Sequence, residues 1–580
     1  MSVFTTNGIN LINGMINIST LTHSAKPLAR VVLAFLGVVY LAGSGPVFAE
    51  EESDAAADRI IAAEEALKEH RYQDAAREYR QAAELSRNPA VAQSATRVAY
   101  TYGFNDDALR SARRWAELAP DDEEAILYVA QINLRNGDIR EARRQFETLL
   151  EKSDQPVDES LLRLVPVLAQ EDPKNAYELM VQLAKPFRDS PYAHYAVAVL
   201  ALDAGESKVA GDRAQAAIKL DPEWIKPHLV YARSLLLDGR QDEAIDYVAR
   251  LVGDNPDPDP EARLELAIMY VSVDRDDDAL SQVNQVLLEQ PYRTDALRMM
   301  AIINFRQEHL DAAKADFQDL LASGDYQMDA FFYLGRIADI RSEYPDAVRY
   351  YTQVTSGNNA IYSQSRAAGI LAKQGESVKA LEQLDHFAEI NPNYAVDMLR
   401  AKAQVLASVG RHDDALGVFD QVIKYRPDDE GAYLSRAELL LRMGRIDDSI
   451  AQYRIAVKRW PDSATTLNAL GYTLADRTEH YDEAEKLIAK ALKMEPDSAA
   501  IIDSWGWVLH RQGRNEEALD HLRDAYERLR DPEVAAHIVD VLWALDRHEE
   551  AKQALQDAEQ RFPDNDLLKD VRERLMPESP

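Results

Sequence analysis

The 580 residues carry 66 Lys and Arg against 99 Asp and Glu, a formal charge of −33 at pH 7. That balance argues against a general nucleic-acid or anionic-lipid surface, because phosphate contacts need a basic face. The absence of cysteine removes disulfides, thiol catalysis, thiolate zinc sites and iron–sulfur clusters.

Residues 1–49 contain no acid, carry Lys26 and Arg30, and then run apolar from Val31 to Ala42. A basic region, a short apolar core and a small-x-small ending (Val47 and Ala49) before Glu50 predict a secretory signal cleaved after Ala49. Twelve apolar residues are short for a spanning helix; an uncleaved N-terminal anchor is the other reading of the stretch. Leu41-Ala42-Gly43-Ser44 is similar to a bacterial lipoprotein cleavage box in which Ser44 stands where the lipid-accepting Cys belongs. Without that thiol, lipidation by this route is not expected. The expectation is an exported chain of the periplasm or cell envelope, associated with membrane only through partners or the uncleaved segment.

From Glu50 onward a small residue returns at a fixed interval: Ala75, Ala108, Ala142, Ala176, Ala210, Ala244, Ala279, Ala313, Ala347, Ala380, Ala415, Ser449, Ala484, Ala518 and Ala551. Every interval is 33, 34 or 35 residues. Each marks the start of an amphipathic helix that follows another helix, and a small side chain there lets the two cross closely without overpacking. The turn before it often carries glycine, as at Gly137, Gly239, Gly410, Gly444 and Gly513. Gly ends the first helix in the left-handed conformation, and acids after it suit the next helix N-terminus. The pattern is thinnest over about 155–222, where the turn before Ala176 is Glu171-Asp172-Pro173. Residues 254–260, DNPDPDP, are too rigid and polar for helix and predict an elongated connection. They lack the central Gly and bidentate Glu of a calcium loop. Ser323-Gly324-Asp325 and Ser356-Gly357-Asn358-Asn359 end helices without Pro and are expected points of flexing. Beyond Pro563, Asn565 to Leu575 predicts one more amphipathic helix, a solubilising cap.

The unit is sharpest over LNALGYTLADR, IDSWGWVLHRQGR and DPEVAAHIVDVLWAL, where Gly471 and Gly506 sit beside large residues and require close helix packing. It resembles the tetratricopeptide repeat. That resemblance implies an all-α chain: a right-handed alpha solenoid of about fifteen helix-turn-helix units over residues 50–563, with a C-terminal capping helix and tail over 564–580. Catalytic motifs are missing: no phosphate-binding Gly loop, no Gly-x-Ser-x-Gly elbow and no His-Glu-x-x-His helix occurs. Acidic pairs such as Asp413-Asp414 and Asp447-Asp448 fall at second-helix starts, where dipole and capping explain them. The expectation is a non-enzymatic chain without cofactor or metal.

In the family it resembles, first helices line the inner wall through the second, fifth, ninth, twelfth and thirteenth places of each unit. Counting the turn Gly as the fifteenth place gives Asp503, Trp507, His510 and Arg511 in the Ala518 unit. The preceding unit gives Asn468 and Tyr472, and the last gives Asp540 and Trp543. Aromatic faces beside Asn, Asp and Arg suit an extended peptide or a partner's loop; the other reading of Trp507 and Trp543 is that they fill the end of the spiral. Trp505 falls at a core place. Farther back, Phe331 is expected in the core and Phe332 toward the groove.

The same phrases resemble the C-terminal repeats of a group of proteobacterial envelope proteins that includes the lipoprotein partner of the periplasmic carboxyl-terminal processing protease. That resemblance implies an adaptor gathering the protease and its cell-wall (peptidoglycan) hydrolase substrates. A scaffold for envelope polysaccharide export or outer-membrane assembly is the alternative.

Overall fold

The computed structural model describes residues 54–68, 71–153 and 156–576. The expected export signal over 1–49 and the end of the expected tail lie outside the described residues. Among those residues there are 31 α-helices, one short 3-10 turn at Pro392–Tyr394 and no strand. Two compact units divide the chain after Gln307. Within each, antiparallel helical hairpins follow one another, from Asp54–Lys68 with Tyr72–Leu85 to Pro532–Ala544 with His548–Arg561. The fold is an alpha solenoid.

The repeating small residue sets the register. All fifteen positions are 0% exposed, and in every unit the backbone N–H of that residue donates to the carbonyl four residues earlier, the residue that caps the second helix. The side chain therefore always enters the hairpin crossing at the same height. Ser449 shows what the crossing tolerates: its Oγ donates to the Ala437 carbonyl at 2.7 Å across the hairpin, so the buried hydroxyl is satisfied. In the Ala518 unit, Gly506 faces the crossing from the first helix and is as constrained. A Cβ there would stand 2.6 Å from Leu522 Cγ and 3.2 Å from the Ala518 carbonyl oxygen, and one at Gly471 would stand 2.6 Å from Ile488 Cγ1.

Helix ends follow local chemistry. Asn88, Asp172, Ser190, Asp259 and Asp531 each accept a backbone N–H from the first turn of the helix they precede, with Pro at the next position. Asp259 caps a helix that begins at Pro260, so the connection expected over 254–260 ends one residue sooner. The first helix of the irregular fourth unit, Val157–Leu168, carries Pro166 inside it. At the fifteenth place the turn glycines take φ between +73° and +83°, for example Gly444 and Gly513. Ser342 holds the same place at φ +58°, a conformation that costs a residue with a Cβ about 1–2 kcal/mol. Replacing Ser342 by Gly relieves that strain, less the entropy the unfolded chain gains, and should stabilise the C-terminal unit by about 0.5–1 kcal/mol. A rise in the denaturant midpoint at constant m-value is the expected reading; a fall would show that the turn is not strained.

The chain closes with Asp566–Leu575, capped by Asn565, whose Oδ1 accepts the Leu568 N–H at 3.2 Å. Leu568 and Val571 are buried in the cluster that holds Val534, Ile538, Val541 and Leu555, so this helix covers the apolar face the last hairpin presents.

Candidate functional site

Three consecutive first helices of the C-terminal unit, Ala464–Arg477, Ala499–Arg511 and Pro532–Ala544, carry eight of the nine residues singled out in the sequence. Most of the eight are tied to one another or to residues of the neighbouring helices. The Tyr472 hydroxyl reaches past the middle helix and donates to Glu533 Oε1 at 2.6 Å, and it lies 3.5 Å from His537 Nε2. On the far side of that imidazole, His537 Nδ1 donates to Asp503 Oδ1 at 2.9 Å. Trp507 stacks on the same ring, centroids 4.1 Å apart at 20°, and donates from Nε1 to Asp476 Oδ1 at 3.3 Å. Arg511 donates to the Asp476 carbonyl at 2.8 Å and to the Tyr481 hydroxyl at 3.2 Å. Asp540 pairs with Arg574 of the terminal helix at 2.8 and 2.9 Å. His510 Nδ1 is bonded to Asn515 Oδ1 at 2.8 Å. Trp543 stays partly exposed, its ring 4.3 Å from that of His548. Asn468 is partly buried, and its Oδ1 has no hydrogen-bond partner among the described residues.

Two placements correct the sequence expectation. Trp507 does not face an open groove: it is 9% exposed, because His537 of the next unit lies flat on it. Trp505, expected in the core, is instead the more exposed of the two and packs between adjacent clusters. Phe332 is likewise buried, at 8%, edge-on to Tyr333 and Tyr362, whereas Phe331 is only partly buried. It lies on the helix Gln327–Ile340, well before the other eight in the chain. Both reversals have one cause: the first helix of the following unit packs over these places, Tyr362 over Phe332 at the fifth and His537 over Trp507 at the ninth. The rule of places reaches Asp476 and Glu533, at the thirteenth and second, had it been applied to them. His537 stands at the sixth place, which the rule leaves out, and nothing in its local sequence marks it.

Burial alone would lower the His537 pKa, but the Asp503 hydrogen bond and the Glu533 and Asp540 carboxylates outweigh it and hold it above the ordinary histidine value. Burial pushes the Tyr472 phenol well above its usual range, reinforced by Glu533, and burial lowers His510. A phenol so disfavoured as phenolate is a poor nucleophile or base, so the Asp503–His537–Tyr472–Glu533 chain acts as a bridge between units. Because the folded protein favours the His537 imidazolium, its stabilisation is complete below about pH 6.5, the unfolded histidine value, and is withdrawn as pH rises through the raised folded value. Hydrogen exchange over residues 500–545 should therefore quicken from pH 6 toward pH 9 beyond its intrinsic base dependence, and Asp503→Asn should flatten that excess. An unchanged excess in the variant would remove the bridge.

The N-terminal unit uses its first helices in the same way. Arg135 binds Glu171 through two nitrogens at 2.9 and 3.0 Å, donates to the Tyr100 hydroxyl at 2.7 Å, and lies 4.2 Å over that ring. Arg233 and Glu265, on Ile225–Leu237 and Pro260–Ser272, form a two-pronged pair at 2.6 and 2.5 Å, 5% and 3% exposed. Among the described residues no group of three or more His, Cys, Asp or Glu has the arrangement to hold a metal ion, and no helix is long and apolar enough to cross a membrane.

A family profile and a sequence relative agree with this architecture. The tetratricopeptide-repeat profile matches residues 298–365, 400–464, 434–499 and 468–533. A TPR repeat-containing protein of Pseudomonas aeruginosa is 30% identical over 486 residues, covering 83% of this chain and 81% of that one. Among solved structures, yeast Tom70 is matched over 89% of this chain and 99% of its own, at 17% identity and a TM-score of 0.36. A tetratricopeptide repeat protein from Parabacteroides merdae is matched over 43% and 98%, at 16% identity and a TM-score of 0.33. With one hairpin register running through fifteen second helices and a relative aligned along most of both chains, this protein belongs to the tetratricopeptide-repeat family.

Proposed function

We propose that the protein is a non-enzymatic scaffold of the cell envelope, an adaptor that holds a carboxyl-terminal processing protease beside its cell-wall hydrolase substrates. The repeats imply protein partners. The observation that carries the reading is the set of bonds joining successive first helices and the terminal helix, Tyr472 to Glu533 across the middle one, His537 to Asp503, Trp507 to Asp476 and Asp540 to Arg574. They fix several units in one geometry, and a pre-formed surface loses less entropy on binding than a flexible one. The choice of protease and hydrolase rests on the likeness of the C-terminal phrases to the repeats of such adaptors. Holding both on one scaffold makes cleavage effectively intramolecular, at millimolar effective concentration for short separations.

Residues 50–580, purified and mixed with the processing protease and a peptidoglycan hydrolase from the same cells, should accelerate hydrolase cleavage at least tenfold and hydrolyse nothing alone. Absence of acceleration, together with capture of polysaccharide synthase and porin components from envelope extract, would replace this reading with the export scaffold.

A further inference from the structure

The second helix Tyr344–Thr352 has nine residues, against fourteen in Leu310–Ser323 before it and Ser377–Ile390 after it. At 1.5 Å per residue the shortfall of five removes about 7.5 Å of helix. The stop is built into the fold. A helix end leaves carbonyls without intrahelical partners, and here the amide of Gln364, on the next first helix Ala360–Lys373, donates to the carbonyls of Val354 (2.9 Å) and Thr352 (3.2 Å) and lies 3.4 Å from that of Tyr351. Gln364 is 1% exposed, and its own Oε1 accepts a hydrogen bond from Gln383. Val354 is fully buried beside it, and Gly357, at φ +82°, turns the chain away.

Beside this shortened helix a cleft of about 480 Å³ opens, lined by Gln318 and Leu321 of the preceding second helix, by Phe331, and by Arg349, Tyr350 and Gln353. This lies within the ~300–1,000 Å³ typical of ligand pockets. Phe331 occupies a place the sequence assigns to the core, yet its ring is only partly buried. An uncovered aromatic floor gains free energy when an apolar group seals it from water. Arg349 supplies the charge among the lining residues: its guanidinium lies 4.5 Å over the Tyr350 ring and gives one nitrogen to Asp346 at 2.7 Å. A guanidinium has five donors; Asp346 takes one nitrogen, and the exposed Arg349 side chain keeps the others for a second carboxylate. Gln318, on Leu310–Ser323, and Gln353, just past the end of Tyr344–Thr352, bring side-chain amides able to donate and accept.

We propose that this cleft docks an extended segment of a protein partner in which a large apolar residue adjoins an acidic one. The apolar side chain covers Phe331 and Tyr350, the carboxylate meets Arg349, and the two glutamine amides bond the segment's backbone. Apart from Phe331 the lining comes from second helices and their ends, none of it from the wall residues, so the site does not depend on which partner that wall holds.

A random dodecapeptide library displayed on phage and panned on residues 50–580 tests it. Enriched peptides should pair a large apolar residue with Asp or Glu. Their affinity should fall at least tenfold on Ala322→Trp, which fills the cleft from an exposed position on its edge, and on Arg349→Glu, with circular dichroism and melting midpoint unchanged in both. The proposal is overturned if no such peptides are enriched, or if they bind both variants as tightly as the parent. Concentration-dependent self-association that Ala322→Trp abolishes would also overturn it, by identifying a second copy of the chain as the occupant.

Discussion

Replacing Glu265 by Ala should destabilise the N-terminal unit by about 3–5 kcal/mol, because it leaves the buried Arg233 guanidinium without its bonded carboxylate, with only the longer-range attraction of Asp203. Burial works against the Arg233 charge, and the two-pronged Glu265 contact holds the guanidinium protonated in spite of it. One of its nitrogens, Nη1, already lacks a hydrogen-bond partner among the described residues, so desolvation is incompletely offset even in the parent. Truncating Arg233 together with Glu265 to Met and Leu should therefore cost little, or even stabilise, since an apolar pair of similar volume escapes the desolvation of both ions. Urea denaturation followed by hydrogen exchange over residues 225–272 measures both variants. A single variant within 1 kcal/mol of the parent would mean that water reaches the pair, and a double variant no better than the single would show that the Arg233 interaction with Asp203 also matters to stability.

The second large effect belongs to the hairpin crossing. Ala518→Glu should cost on the order of 3 kcal/mol or more, because the new side chain both oversizes a filled contact and buries a carboxylate with no cation beside it. Ala518 is 0% exposed, and its carbonyl oxygen and Leu522 already stand within 3.2 Å of the place where a Cβ on Gly506 would lie. There is no slack to absorb four more heavy atoms. Stability in a stack passes between neighbours, so the loss should appear as early melting around residues 499–528, reported by the fluorescence of Trp505 and Trp507. Gly506→Ala, which intrudes from the other side by a single methyl, should cost about 1–3 kcal/mol. Equal melting of Ala518→Glu and parent would place Ala518 outside the crossing.

The register was legible before any coordinates because it is a steric demand repeated fifteen times. A hairpin crossing accepts only a small side chain, and Ala, or Ser449 with its hydroxyl bonded back to Ala437, satisfies it whatever the rest of the unit contains. The left-handed turn glycines and the Pro-headed helices follow from local backbone chemistry for the same reason. The candidate wall was legible only in part. Places counted from the turn brought Tyr472, Asp503, Trp507, Arg511 and Asp540 to one region, but counting treats each unit alone. It therefore put Trp507 and Phe332 in the open, where the following helix covers them.

What the sequence determined by itself is thus everything decided within one hairpin: the helices, their crossing and their turns. The tertiary structure decided what depends on the angle and distance between consecutive hairpins. That geometry lets His537 reach Asp503 and cover Trp507, and buries Arg233 against Glu265. It also sets Gln364 over the carbonyls of Thr352 and Val354, at and just past the end of Tyr344–Thr352. Those contacts join residues some ten to thirty-four positions apart, and no periodicity of a single unit records which side chain of the next will meet them.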